Sequence, residues 1–136
     1  MPLPGAPDRP LILAADDDQH ILELVRLALE QDGCEVLTAL NGTDALELAR
    51  TRDPRVCVLD AMMPGLDGFE VARLLAEDER TAHIPVLLLT SMEPSDVAAE
   101  GFSVGAADYL QKPFRPGALR ARVRAVLEAA EPAKPS

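Results

Sequence analysis

Residues 56–68 read Val56-Cys57-Val58-Leu59-Asp60-Ala61-Met62-Met63-Pro64-Gly65-Leu66-Asp67-Gly68. The first four residues form an apolar run that is typical of a buried strand. The run ends at Asp60, and a turn built on Pro64, Gly65 and Gly68 follows. Because an unpaired charge beside a buried strand is costly, we expect Asp60 to have a partner or a chemical task. The stretch predicts a functional carboxylate at the end of a central strand.

Five apolar runs of strand length alternate with segments of helical periodicity on either side of this stretch. Strands are predicted at residues 11–15, 34–39, 56–59, 84–89 and 108–111. Helices are predicted at residues 19–32, from Thr43 or Asp44 to about 52, at 68–78, at 97–104 after a cap at Ser95 or Asp96, and at 116–130. Several strands are continuously apolar, as expected when helices cover both sheet faces. The pattern predicts an α/β fold with a doubly wound, five-stranded parallel sheet and five helices.

Composition indicates one acidic globular domain. The chain has 136 residues, 48% hydrophobic content and a net charge of −10. This charge argues against direct binding to nucleic acid, whose affinity comes largely from Lys and Arg on phosphates. No secretory signal and no apolar run of about 20 residues are visible, so we expect a soluble, cytoplasmic protein without membrane partners. Cys34 and Cys57 are expected to be buried, reduced thiols.

The domain boundaries follow from the distribution of proline and polar residues. Residues 1–10 contain four prolines and are expected to form a flexible lead-in. Residues 11–130 are expected to form the domain, and residues 131–136 a polar tail. The helix at 19–32 carries an apolar arc of about 220°, wider than one packing face needs. This arc either packs between the sheet and neighbouring helices or includes a docking surface with Leu22 or Leu29.

The carboxyl ends of the predicted strands carry polar residues from distant parts of the chain. They are Asp16 and Asp17 after the first strand, Asp60, Thr90 after the fourth, and Lys112 after the fifth. In a parallel sheet these ends meet at one edge, where such folds bind ligands. Clustered carboxylates repel one another, and a hard cation such as Mg²⁺ relieves that repulsion. The set predicts metal-assisted phosphoryl transfer with Asp60 as nucleophile and Thr90 and Lys112 contacting phosphoryl oxygens.

Four motifs make the sequence similar to the receiver domains of two-component response regulators. They are Ile12-Leu13-Ala14-Ala15-Asp16-Asp17-Asp18, Leu59-Asp60-Ala61-Met62-Met63-Pro64-Gly65-Leu66-Asp67-Gly68, Leu89-Thr90-Ser91 and Tyr109-Leu110-Gln111-Lys112-Pro113-Phe114. The resemblance covers roughly residues 10–130 and implies a flavodoxin-like strand order, 2-1-3-4-5. It also implies a phosphorylation-dependent switch that receives a phosphoryl group from a sensor histidine kinase or a histidine phosphotransfer protein.

The resemblance assigns the acceptor and the metal ligands residue by residue. Asp60 corresponds to the phosphoacceptor, and Asp16 and Asp17 correspond to the acidic pair that holds Mg²⁺ or Mn²⁺. Asp60 and the backbone carbonyl of Met62 complete the implied ligand set. Lys112 corresponds to the lysine that contacts the phosphoryl group, and its bond to Pro113 is usually cis in the family.

The resemblance also assigns residues that respond to phosphorylation and residues that set the lifetime of the phosphorylated form. Thr90 and Tyr109 correspond to the switch pair that alters the face formed by the fourth helix, the fifth strand and the last helix. Met62 and Met92 stand at positions that tune dephosphorylation. Because both are apolar and cannot orient an attacking water, we expect a long-lived phosphorylated form.

The output of such a domain depends on its partners. Asp108 and Arg122 match one charged pair through which receivers with winged-helix DNA-binding domains dimerise, but Ala98, Ala107 and Ala118 stand where other charges of that interface usually lie. The chain is therefore expected to be a monomer or a phosphorylation-dependent dimer. Its downstream partner is expected to be a protein target or an effector domain outside this sequence.

Two other readings belong to different functional classes. A magnesium-dependent aspartyl phosphohydrolase of the haloacid dehalogenase type requires a second Asp two residues after the nucleophile, and this position is Met62 here. A pseudo-receiver that only binds partners would normally have lost Asp60, Lys112 or the acidic pair, and all of these are present. The receiver reading is therefore preferred, and it describes a phosphoacceptor that assists its own modification, not an enzyme with a separate substrate.

Overall fold

The computed structural model describes residues 9–93, 95–96 and 104–130. Five strands, β1 to β5, form one parallel sheet in the order β2-β1-β3-β4-β5. Their bounds are Leu11–Ala15, Glu35–Ala39, Val56–Asp60, Val86–Thr90 and Asp108–Gln111. The predicted parallel α/β fold and its strand order are confirmed.

Four helices lie in the described ranges: α1 (Gln19–Gln31), α2 (Gly42–Arg52), α3 (Gly68–Glu77) and the C-terminal helix (Pro116–Ala130). The fifth predicted helix, at residues 97–104, falls outside the described residues except for Val104, which lies in a turn. Helix α2 begins earlier than predicted because Asn41 caps it, its side chain accepting a hydrogen bond from the Asp44 N–H.

The sheet carries one apolar cluster on each face. One cluster joins alternate strand residues such as Leu13, Cys57, Leu59 and Leu88 to helices α2 and α3. The other joins Ile12, Val58 and Leu87 to α1 and the C-terminal helix. All five residues of β3 are buried because helices cover both faces of this central strand.

The two thiols lie within this interior. Cys34 and Cys57 are free and buried, as predicted. Burial raises the pKa of Cys57 to about 12, so its thiol stays protonated at neutral pH.

The wide apolar arc of α1 packs mainly into the core. Leu22 and Leu29 are both buried in the cluster beneath α1, and Leu29 is fully enclosed, so the suggestion that Leu29 forms a docking surface is wrong. Leu22 also borders a surface pocket, and docking at this residue stays a prediction. Leu27 on the same helix is 47% exposed, while Ile21 and Leu24 are half-buried. None of the described helices has the length and apolar character needed to cross a membrane.

Candidate functional site

The strand register brings the predicted polar residues to one edge of the sheet. Ala15 at the end of β1 pairs with Leu59, and Asp60 pairs with Leu89. Thr90 at the end of β4 pairs with Gln111 at the end of β5. The four strand ends therefore form a continuous edge from which the site residues project.

Three carboxylates meet at this edge. Oxygens of Asp16, Asp17 and Asp60 all lie within 4.8 Å of one another. Asp16 and Asp60 are buried, with 1% and 6% of their surface exposed, whereas Asp17 is exposed. The backbone N–H of Asp18 donates to Asp16 Oδ1 at 2.9 Å and so helps to orient that carboxylate. The cluster is open to solvent on the Asp17 side and closed behind Asp16.

Lys112 bridges the two buried carboxylates. Its Nζ lies 3.0 Å from Asp16 Oδ2 and 3.2 Å from Asp60 Oδ1. Its backbone N–H donates to the Thr90 carbonyl at 2.7 Å, which fixes the base of the lysine beside the end of β4. The Lys112–Pro113 peptide bond is cis, as the resemblance implies.

Opposing influences act on the charges of this cluster. Burial and the charge of Asp16 raise the pKa of Asp60 to about 6, although Lys112 and the Met62 N–H act in the other direction. Burial tends to lower the pKa of Lys112, but its hydrogen bond to Asp16 and the two carboxylate charges raise it overall. Lys112 therefore stays protonated and only partly compensates the acidic group.

Thr90 and Tyr109 flank the site on the side of β4 and β5. Thr90 is buried, and its Oγ1 accepts a hydrogen bond from the Met92 N–H at 3.0 Å. Tyr109 is half-buried, pairs with Leu88 across the strands and packs against the cluster under α2 and α3. The two proposed switch residues thus lie on neighbouring strands near the same edge.

The β3–α3 loop (residues 61–67) borders the site on the other side. Its Met62 N–H donates to Asp60 Oδ1 at 3.3 Å, while the Met62 side chain is 63% exposed. Its far end is closed by a capping box in which Asp67 and Glu70 bond to each other's backbone N–H groups. Met62 and half-buried Met92 both line a surface cleft of about 350 Å³ at the start of α3.

The donor set fits a small, hard divalent cation. Three carboxylates and one ammonium group leave a formal charge of −2 at the cluster when all are ionised. Carboxylate oxygens with access to water are the ligands that Mg²⁺ prefers, and the exposure of Asp17 gives that access. Burial, and after it the charge of Asp16, disfavour the ionised form of Asp60, and a bound cation would offset both effects.

The sequence does not reveal that two glycines next to the site have no room for a side chain. A Cβ on Gly68 would lie 2.3 Å from the Asp60 carbonyl oxygen, and one on Gly42 would lie 2.2 Å from the Leu66 carbonyl oxygen. In the sequence, Gly68 is recognisable only as a turn residue, and Gly42 lies just before a predicted helix start. Their close contacts depend on how separate loops pack together, and no local pattern reports that.

The family described as the response regulator receiver domain matches residues 12–124. The alkaline phosphatase synthesis transcriptional regulatory protein PhoP of Bacillus subtilis (strain 168) is 41% identical over 125 residues, 92% of this chain and 51% of PhoP. The phosphate regulon transcriptional regulatory protein PhoB of Pseudomonas aeruginosa is 43% identical over 121 residues, 89% of this chain and 53% of PhoB. The chain therefore spans about half the length of these curated relatives.

A solved structure extends the similarity to the fold. The chemotaxis response regulator CheY4 of Vibrio cholerae superposes with a TM-score of 0.83 at 33% identity. The match covers 87% of this chain and 98% of that one. The sequence relatives and the structural neighbour are thus all response regulators.

Proposed function

The chain belongs to the response regulator receiver family of two-component signalling, and on that premise we propose that it is a switch phosphorylated on Asp60. The phosphoryl donor in this proposal is a sensor histidine kinase or a histidine phosphotransfer protein. The functional unit spans residues 11–130, between a lead-in (1–10) and a tail (131–136). It acts in the cytoplasm as a phosphoacceptor and not as an enzyme with a separate substrate.

One observation carries the proposal: the buried carboxylate of Asp60 contacts the ammonium group of Lys112 and lies close to the carboxylate of Asp16. Lys112 Nζ and the Met62 N–H both approach Oδ1 of Asp60. With Oδ1 held in this way, Oδ2 is the oxygen that attacks phosphorus. The new O–P bond forms as the P–N bond to the donor histidine breaks, and the leaving imidazole nitrogen takes up a proton. The product is an acyl phosphate on Asp60.

A divalent cation completes the proposed site. Asp16, Asp17, Asp60 and the Met62 carbonyl would hold Mg²⁺, or Mn²⁺ in its place, and the cation would neutralise charge on the phosphoryl oxygens. Lys112 is then available to leave the carboxylates and pair with a phosphoryl oxygen, which its position between Asp16 and Asp60 favours.

Readout in this proposal passes through Thr90 and Tyr109. The Thr90 hydroxyl turns from the Met92 N–H toward the phosphoryl group, and the Tyr109 ring moves into the space behind it. This movement changes the face formed by the segment before β5, β5 itself and the C-terminal helix. The partner that reads this face is a downstream protein or an effector domain outside the chain, and we propose no direct contact with nucleic acid or membrane.

Mass spectrometry after treatment with a small acyl-phosphate donor tests the proposal. We expect wild-type protein to gain the mass of one phosphoryl group when Mg²⁺ is present and to remain unmodified when EDTA replaces it. Asp60→Asn should remain unmodified under both conditions, while Asp44→Asn, which changes an exposed aspartate, should behave as wild type.

Three results would contradict the proposal. An unmodified wild type would favour a pseudo-receiver, and equal modification of wild type and Asp60→Asn would show that another residue accepts the group. Steady release of phosphate from small phosphoesters would instead indicate the aspartyl phosphohydrolase reading.

A further inference from the structure

Gly42 is the first residue of α2 and is buried against the β3–α3 loop. A Cβ at this position would lie 2.2 Å from the carbonyl oxygen and 2.8 Å from the Cβ of Leu66. The backbone of Gly42 is not in the left-handed region, so its conformation does not require glycine. Alanine is also the better helix former. The glycine is therefore explained by the space that Leu66 occupies.

Leu66 lies in the loop that carries the Met62 carbonyl and follows Asp60. The loop is held near Asp60, where the Ala61 N–H donates to the Leu89 carbonyl and the Ala61 carbonyl accepts from the Gly68 N–H. Its intermediate residues Pro64 and Gly65 are exposed, whereas Leu66 is half-buried and packs against the apolar cluster under α2 and α3. The contact with Gly42 thus anchors the far side of the loop to a different part of the chain.

We propose that Gly42 is a positioning residue that sets the β3–α3 loop, and with it the Met62 carbonyl, at the proposed cation and phosphoryl site. The inference rests on the proposed function, because it concerns how that site is held in place. Gly42 does not itself contact the proposed cation or phosphoryl group; it acts by leaving room for Leu66.

The physical reason is that the atom facing Gly42 belongs to the backbone. A side chain could rotate away from an added methyl group, but the Leu66 carbonyl can move only with the loop. A Cβ placed 2.2 Å from the Leu66 carbonyl oxygen would force the loop to move by about 1 Å. Because protein interiors are close-packed, such a movement is transmitted to neighbouring residues. Loss of a supporting contact behind a ligand typically weakens metal affinity about 10- to 100-fold.

Titration of Mg²⁺ by calorimetry, without any phosphodonor, tests the proposal directly. We expect Gly42→Ala to bind Mg²⁺ at least about tenfold more weakly than wild type. Gly117→Ala is the matched control, because a Cβ there meets nothing closer than the flexible end of Arg120 at 3.9 Å. It should bind Mg²⁺ as wild type does. The rate of phosphorylation by the acyl-phosphate donor should fall in parallel with affinity.

A second control separates positioning from loss of stability. Val126→Ala removes buried volume from the C-terminal helix, on the face of the sheet opposite α2, and lowers the melting temperature without touching the loop. At comparable melting temperatures we expect Val126→Ala to keep wild-type Mg²⁺ affinity and Gly42→Ala to lose it. Equal affinities in the two variants would overturn the proposal.

The remaining outcomes are also decisive. If Gly42→Ala does not fold, Leu66→Gly removes the side-chain packing that seats the Leu66 carbonyl against Gly42 and adds no atoms. An unchanged Mg²⁺ affinity in that variant would overturn the inference. If wild type binds Mg²⁺ and accepts phosphate but Gly42→Ala matches it, only this inference fails. If wild type neither binds Mg²⁺ nor accepts phosphate, the proposed function fails together with it.

Discussion

Ionised Asp60 is less favourable in the folded protein than in the unfolded chain. Burial and Asp16 raise its pKa from 3.8 to about 6. Well below pH 3.8 the residue is protonated in both states, and as the pH rises from there to about 6 the unfolded state releases its proton first. Stability is therefore lost across this window and stays lower at neutral pH. The difference corresponds to at most about 3 kcal/mol.

We expect Asp60→Asn to raise the free energy of unfolding of the metal-free protein by about 1–3 kcal/mol at neutral pH. The gain should shrink toward about pH 4, because the wild-type carboxyl is neutral there as well. Urea denaturation in EDTA at several pH values measures both quantities. Glu79→Gln, which removes an exposed charge, is the control and should change stability little.

Magnesium should reverse the order of these two proteins. The cation binds the folded wild type and stabilises it by mass action, whereas Asp60→Asn has lost one ligand. A metal-free Asp60→Asn that is less stable than wild type at neutral pH would show that Lys112 compensates Asp60 fully.

Met62 is placed to influence how long a phosphoryl group survives on Asp60. Its side chain is 63% exposed and lines the same cleft as Met92, and neither thioether can orient water as an amide can. We expect Met62→Asn to shorten the lifetime of the phosphorylated form about tenfold, a change of about 1.4 kcal/mol in the barrier. Decay of the phosphorylated protein, followed by mass spectrometry after removal of the donor, measures it.

A surface substitution elsewhere provides the comparison for Met62. Leu27→Asn changes another exposed apolar side chain, on α1, and should leave the lifetime unchanged. Fast decay that is the same in wild type and Met62→Asn would remove the idea that the methionines protect the acyl phosphate.

At the scale of elements, the end of α2 carries a residue in an uncommon conformation. Asp53 is the C-cap of α2 with φ +48°, the left-handed region, and among described non-glycine residues it alone has positive φ. Its Oδ1 contacts His83 Nε2 at 2.8 Å, but both side chains are mostly exposed. Glycine adopts this conformation without strain, and an exposed ion pair contributes little. The strain should therefore outweigh the contact.

We expect Asp53→Gly to raise the free energy of unfolding slightly, by about 0.5 kcal/mol. Thermal or urea denaturation measures the change, and Asp53→Asn is the control, since asparagine also tolerates this backbone. A loss of more than about 1 kcal/mol in Asp53→Gly would mean that the contact with His83 holds the two loops together more strongly than exposed pairs usually do.

Sequence patterns predicted elements well where local physics decides them. Continuous apolar runs identified the buried strands, and the predicted start of α1 at residue 19 agrees with the structure, where the Asp18 side chain caps the helix by accepting from the His20 N–H. The five polar residues at four strand ends lie along one edge because a parallel sheet brings its carboxyl ends together. The bridge from Lys112 to Asp16 and the contact of Gly42 with Leu66 were not predicted, because each depends on side-chain or loop packing between segments distant in sequence.

At the scale of the whole molecule, one charged pair bears on assembly. Arg122 on the C-terminal helix bonds both carboxylate oxygens of Asp108 on β5 at 3.0 Å within the same chain. Ala107 and Ala118 leave uncharged two further positions where the family's dimers usually carry charge, and Ala98 lies outside the described residues. The pair is thus satisfied inside one chain, and Ala107 and Ala118 add no charge that could be exchanged with a second chain.

We expect this chain to remain a monomer after phosphorylation at micromolar concentration. A dimer that exchanges the Asp108–Arg122 pair would have to break it in each copy and would regain only the same bonds between copies. No additional ion pairs at positions 107 and 118 would offset the lost rotational and translational freedom. Sedimentation velocity of the protein with and without the acyl-phosphate donor measures this. Arg122→Ala is the control and should also be monomeric under both conditions. A phosphorylation-dependent dimer that Arg122→Ala abolishes would show instead that the pair is exchanged between chains.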